Sequence, residues 1–192
     1  ENPMEQFQKW FHEVEASDGV DEPNAMTVST LGLDGFPKSR VVLMKKFTFE
    51  GFIFYTNYQS EKGKAIEANP SVCLSFFWPN MERQVIIKGK AEKIAENLSD
   101  GYFESRPHGS QLGAVVSNQS EVVSSREHLE GKLKELEQKY EGKEVPRPEH
   151  WGGYLVRPVS IEFWQGRPNR LHDRIRYSLQ EDFDWKIERL AP

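Results

Sequence analysis

A single cysteine, Cys73, is all that this 192-residue sequence contains. That excludes an intrachain disulfide and any multi-cysteine zinc site, and it fits a reducing, cytoplasmic setting. Long apolar runs are missing too. Nothing approaches the roughly 20 residues needed to span a bilayer, so no membrane association is expected. The start, Glu1-Asn2-Pro3-Met4, reads as neither a signal peptide nor a basic transit peptide. Positive charge is not in excess. The formal net charge is -5, which argues against a general nucleic-acid binder. The histidines (His12, His108, His128, His150 and His172) are scattered without metal-ligand spacing, so no metal site is expected. There is no G-x-S-x-G, no P-loop and no G-x-G-x-x-G. An enzyme built this way relies on a bound cofactor for its chemistry.

What is present is a soluble globular composition, 37% hydrophobic and 29% charged. One domain over residues 1–192 is expected. Phe7, Trp10, Phe11 and Val14 recur at helical spacing and Ser17-Asp18-Gly19 stops the helix. Ala25 to Leu31 reads as a strand, Gly32 to Gly35 as a hairpin turn, and Lys38 to Lys46 as a second strand. Strands follow at Gly51 to Thr56, Val72 to Trp78 and Arg83 to Ile94. Ser60 can cap a short helix that Pro70 ends. Further helices are expected at Asn97 to Ser105, Ser110 to Val116 and Arg126 to Tyr140. Val145-Pro146-Arg147-Pro148 reads as an extended linker. Tyr154 to Val156, Ile161 to Gln165, Arg174 to Tyr177 and Trp185 to Arg189 read as closing strands. Many short strands with interspersed helices predict a mainly β, α+β fold: a β-barrel core with peripheral helices.

Four clusters can carry chemistry. The densest is Phe163 to Arg174, which packs Trp164, Arg167, Arg170, His172 and Arg174 together, with Arg176 just beyond. On an acidic chain such a patch suits a small anion, and a solvated strand edge would look the same. The second runs from Arg40 to Lys45 and on through Tyr55, Thr56 and the helix start at Lys62. In a regular strand Arg40, Val42 and Met44 face one way, Val41, Leu43 and Lys45 the other. The helix start can hold a phosphate on free N–H groups, and simple capping explains the same residues. Tyr102 and Arg106 share a helix face with Ser110 just past Pro107, a third anion-binding set or an exposed stack. Ser117-Asn118-Gln119-Ser120 is a polar loop suited to a ligand or to plain connection.

Taken in order, these segments resemble the pyridoxine/pyridoxamine 5′-phosphate oxidase family. The resemblance covers about Phe7 to Pro192. It rests on Arg40-Val41-Val42-Leu43-Met44-Lys45, Phe54-Tyr55-Thr56-Asn57, Glu82-Arg83-Gln84-Val85, Tyr102 to Pro107, Trp151-Gly152-Gly153-Tyr154, Glu162 to Gly166, Asn169 to Arg174 and Glu188 to Pro192. It implies an FMN-binding split β-barrel, active as a homodimer with FMN at the subunit interface. It also implies oxidation of pyridoxine or pyridoxamine 5′-phosphate to pyridoxal 5′-phosphate by O2. On this resemblance FMN contacts Arg40, Val41, Val42, Leu43, Met44, Lys45, Tyr55, Thr56, Lys62, Gln84, Gln119, Ser120, Trp164 and Arg174, partly from the second subunit. The substrate phosphate falls to Lys45, Tyr102, Arg106 and Ser110, while Arg170 and His172 close over the pyridine ring and carry catalysis. Arg167 and Arg176 are left as surface charge. Glu61 departs from the family, which usually has a basic residue there. It is expected to point outward.

Overall fold

The computed structural model describes residues 2–192. Helix α1 (Pro3–Glu15) is opened by Asn2, whose side chain accepts from the Met4 amide. Strands β1 (Ala25–Leu31) and β2 (Pro37–Leu43) form a hairpin, followed by β3 (Lys46–Thr48) and β4 (Gly51–Asn57). Helix α2 (Glu61–Ala68) leads to β5 (Ser71–Trp78) and β6 (Arg83–Lys93). Helices α3 (Glu96–Ser105), α4 (His108–Val116) and α5 (Arg126–Lys139) come next, then β7 (Trp151–Gln165), β8 (Asp173–Leu179) and β9 (Trp185–Leu190).

All neighbouring strands are antiparallel, in the order β2-β1-β5-β6-β7-β4-β3, with β8 on β7 and β9 on β8. β2 and β3 stand at opposite ends of that order, yet only Met44 and Lys45 separate them. The sheet therefore curls until its ends nearly meet, a barrel with a seam. The Lys45 amide donates to the Ile53 carbonyl on β4 (2.8 Å), so from Lys45 on the chain pairs with β4. This is why the expected strand Lys38–Lys46 is broken after Leu43. Met44 turns into the core at 4% exposure, and its backbone N–H and C=O both engage Asn24.

The barrel is filled by aromatic and branched side chains. Phe7 of α1 is fully buried, with ring centroids of Phe47, Phe52, Phe76, Phe11 and Trp78 at 4.8–6.2 Å. Helix α1 thus plugs one opening. Burying a phenylalanine contributes about 1.5–3 kcal/mol, so this helix is held by its apolar stripe more than by its own propensity. A second cluster of Phe103, Leu112, Val145 and Trp151, with Leu133, Leu136 and Tyr140 of the α5 stripe against it, fixes the three helices beside the barrel.

Two further expectations change. Tyr154–Val156 and Ile161–Gln165 belong to one strand, β7. It pairs with β4 over Trp151–Val156 and with β8 over Ser160–Gln165. Pro158 lies between these stretches, opposite Gly89 where the β6 register shifts, a place where a missing N–H is tolerated. The expected linker is anchored: Val145 is 5% exposed, and Arg147 bonds Asp100 (2.5 Å) and the Trp151 carbonyl (2.7 Å).

Candidate functional site

At the seam lies a cavity of about 850 Å³. One wall is β2 and its exit, with Arg40, Val41, Val42, Leu43 and Lys45. The other is β4 with Tyr55, Thr56 and Asn57, joined by Lys62, Trp151, Gln119 and the helix residues Tyr102, Arg106 and Ser110. Arg40 and Lys45 share this cavity because the chain leaves the strand at Met44, which cancels the alternation expected of them. Four cationic side chains line the space, and no carboxylate does.

Lys62 is the most buried of the four at 9% exposure. Its Nζ donates to Gln119 Oε1 (2.6 Å), Thr56 Oγ1 (3.0 Å) and Ser60 Oγ (3.4 Å), all neutral. Burial, then the nearby Arg40 charge, lowers its pKa to about 8, against a partial counter-pull from Glu61. Arg40 is itself pulled down by burial, and its Nη1 donates to Thr30 Oγ1 (2.7 Å) and the Lys38 carbonyl (2.9 Å). Two desolvated cations side by side, held by neutral acceptors, form a site that an anion completes.

At the other group, Tyr102 stacks on Tyr55 with centroids 3.9 Å apart, and Trp151 lies near-parallel 5.5 Å from Tyr55. The Arg106 guanidinium sits 4.7 Å over Trp151. Its Nη1 is buried without a hydrogen-bond partner, and burial lowers its pKa. A stacked guanidinium with an unused donor suits a phosphate. Trp151 is a cavity residue to which sequence reasoning assigns no role. An aromatic residue leading into Gly152-Gly153 was the signal available.

The start of α2 proves to be capped rather than open. The Glu61 amide donates to Ser120 Oγ (3.2 Å), the Gly63 amide to Ser60 Oγ (3.3 Å) and the Lys64 amide to the Ser60 carbonyl (2.9 Å). The 117–120 loop is tied to this corner, with Asn57 Nδ2 donating to the Ser117 carbonyl (3.2 Å). Ser120 therefore braces the corner and does not line the cavity. Gly63 is obligatory: a Cβ there would come within 2.0 Å of the Tyr58 carbonyl oxygen. Glu61 points outward to Lys38 Nζ (2.5 Å).

Gln84, Trp164 and Arg174 face one another across β6, β7 and β8, followed by the Pro168–Arg170 turn and His172. None of these lines the cavity. Trp151 and Trp164 are 13 residues apart on β7, roughly 40 Å along an extended strand and less along a curled one. The expected site residues thus fall into two separate groups on one chain. Arg167 and Arg176 are more than loose surface charge: Arg167 pairs with Asp173 (2.8 Å) and Arg176 with Glu188 (2.9 Å).

A curled antiparallel half-barrel with a cationic seam and five flanking helices among the described residues is the split-barrel class. Residues 13–140 match the family described as Pyridoxamine 5′-phosphate oxidase. Residues 151–192 match the Pyridoxine 5′-phosphate oxidase C-terminal dimerisation region. The pyridoxine/pyridoxamine 5′-phosphate oxidase of Flavobacterium psychrophilum is 71% identical over all of this chain and 90% of its own length. PhzG from Burkholderia lata 383, solved with tetrahydrophenazine-1-carboxylic acid, is 29% identical with a TM-score of 0.93, covering 100% of this chain and 93% of that one. A pyridoxamine 5′-phosphate oxidase-related, FMN binding protein from Nostoc punctiforme shares the fold at 14% identity and a TM-score of 0.79, over 97% and 96% of the two chains. The chain belongs to the pyridoxamine 5′-phosphate oxidase family and is an oxidoreductase. Its dimerisation region supports homodimer formation. Among the described residues, no helix is long and apolar enough to cross a membrane.

Proposed function

We propose that this protein oxidises pyridoxine 5′-phosphate or pyridoxamine 5′-phosphate to pyridoxal 5′-phosphate. The alcohol reacts with O2 to give the aldehyde and H2O2. The amine also consumes water and releases ammonia. FMN is the cofactor, and when bound it accepts a hydride equivalent from the substrate C4′ and passes the electrons to O2. The residues present fit it. Arg40 and Lys62 supply buried positive charge for its phosphate, Val41 to Leu43 and Tyr55 offer walls for a planar ring, and Gln119 and Thr56 supply polar contacts.

The observation that carries the reading is the second anion group. Besides the Arg40–Lys62 pair, the cavity holds Lys45, Tyr102, Arg106 and Ser110, with the unpartnered Arg106 Nη1 among them. A substrate with its own phosphate accounts for both groups. That phosphate binds away from the reacting carbon, and the binding energy holds the ring in place. Arg170 and His172, with Gln84, Trp164 and Arg174, come from the second subunit and close the site, which lies at the dimer interface. Arg170 and His172 orient the substrate and assist proton movement.

The likeness to PhzG favours one rival, a substrate without a phosphate. Such a substrate leaves Arg106 unanswered. The test is to purify the protein, record its flavin spectrum, add pyridoxine 5′-phosphate under air, and follow H2O2 and pyridoxal 5′-phosphate. Flavin with neither product would sink the reading. Arg170→Ala and His172→Ala should each cut turnover at saturating substrate, and near-full turnover in both would remove their catalytic role.

A further inference from the structure

We propose that Asp173 is a positioning residue for Arg170 and His172, locked in place by β9 through Arg189. This rests on the reading that those two residues face the substrate. The loop between β7 and β8 carries Asn169 at φ 58° and Arg170 at φ 60°, two consecutive non-glycine residues in the left-handed region. That conformation is costly for L-residues and persists only where surrounding contacts impose it. Two hydrogen bonds close it from within, the Leu171 amide donating to the Pro168 carbonyl (3.2 Å) and the Arg167 amide to His172 Nδ1 (3.1 Å).

The remaining restraint comes from Asp173. Its Oδ2 accepts from Arg167 Nε (2.8 Å) and its Oδ1 from Arg189 Nη1 (2.5 Å), so both carboxylate oxygens are engaged. Arg167 is in turn the residue whose backbone N–H donates to His172 Nδ1 (3.1 Å). A donor at Nδ1 places the proton of the neutral imidazole on Nε2. The same ring lies against Trp164, with centroids 4.7 Å apart. Asp173 therefore spans the loop: it fixes Arg167 at one end, and β9 fixes it at the other. Arg189 and Ala191 act together here, since the Ala191 carbonyl accepts from Arg174 Nη1 (2.8 Å). Hydrogen bonds from Arg167 and Arg189 hold the Asp173 carboxyl below its ordinary range. Exposed ion pairs add little stability, and the effect here is orientation.

The test uses the FMN-loaded, ¹⁵N-histidine-labelled protein and Asp173→Asn. The His172 signal in long-range ¹H–¹⁵N spectra is identified by its loss in His172→Gln. The unsubstituted protein should show the Nε2–H form, and D173N a mixture of the two tautomers. Turnover at saturating substrate should fall roughly 10- to 100-fold, the scale of a misplaced reacting group, with flavin content and melting temperature unchanged. Arg189→Gln leaves the loop sequence intact and should move both readouts the same way by a smaller factor. A His172 signal unchanged in both variants overturns the proposal, and so does a shifted signal with unchanged turnover. His172→Ala is run beside them. If it keeps full turnover, the functional reading of His172 fails, while the tautomer signal still decides what Asp173 holds.

Discussion

Replacing Lys62 with methionine should stabilise the flavin-free protein while weakening its hold on FMN. The Lys62 pKa falls from 10.5 to about 8 on folding. At about 1.36 kcal/mol per pH unit that is about 3 kcal/mol, and partial solvent access at the ammonium reduces it to about 2. Methionine removes this penalty but strands Gln119 Oε1, which loses a 2.6 Å donor, at about 1 kcal/mol. The net gain of about 1 kcal/mol should raise the flavin-free melting temperature by roughly 2–4 °C. FMN loses a charge-assisted hydrogen bond of about 1.5–3 kcal/mol, so its dissociation constant should rise roughly 10- to 150-fold. The pH dependence has a definite sign. Between about 8 and 10.5 the unfolded chain holds the Lys62 proton and the flavin-free native state does not, so stability rises with pH there. A bound phosphate favours the charged ammonium, so FMN affinity falls across that window. Melting curves and FMN titrations from pH 7 to 10.5 read both trends. A Lys62→Met protein that melts lower than its parent, and whose FMN affinity keeps the same fall with pH, would refute the reasoning.

Arg106→Lys keeps the charge but loses the planar fork and the stack on Trp151. KM for pyridoxine 5′-phosphate should rise roughly 10- to 100-fold with turnover within a few-fold, by steady-state kinetics. Gly63→Ala drives a methyl group into the Tyr58 carbonyl. It should destabilise the protein by about 3 kcal/mol or more and lower the flavin content, by denaturant melts and absorbance. Glu61→Gln breaks an exposed pair with Lys38. Stability should stay within about 0.5 kcal/mol, while FMN binds slightly tighter because a carboxylate near Arg40 and Lys62 is gone.

Much of the barrel was legible because local pattern and long-range pairing agree. β1 runs Ala25–Leu31 as the alternation of Met26, Val28 and Thr30 predicts, and all three are buried. The break at Met44 was not legible. Lys38 to Lys46 reads as one uninterrupted strand, and only closure of the sheet requires the chain to leave β2 and cross to β4. Tyr154–Val156 and Ile161–Gln165 read as two strands, yet Pro158 lies inside a single one, where a proline normally marks an end. Here it falls where the neighbour of β7 changes from β4 to β8. At the site, residue types were legible and their surroundings were not. The sequence shows Lys62 beside a cap, but its bonds to Thr56 and Gln119 span 6 and 57 positions. Ser120 reads the same in either role, because a hydroxyl bracing a helix and one facing a ligand share the same local pattern.

The division into two half-sites can be tested without a complex structure. Arg106 lines the cavity, and His172 lies outside that lining, just before β8. If each active site takes its cavity from one subunit and its His172 from the partner, Arg106→Ala and His172→Ala damage complementary halves. Each pure variant has both of its sites defective. In a mixed dimer, one site receives both lesions and the other receives none. Unfolding and refolding an equal mixture should make about half of the dimers mixed, so at substrate well below the KM of the Arg106 variant about a quarter of the wild-type rate should return. Each homodimer refolded alone gives the baseline. Were the site completed within one chain, every subunit in the mixture would still carry a lesion and no activity would return. Turnover that stays at the baseline, with mixed dimers verified by mass, would place Arg106 and His172 of the same chain in one site and sink the shared-site reading.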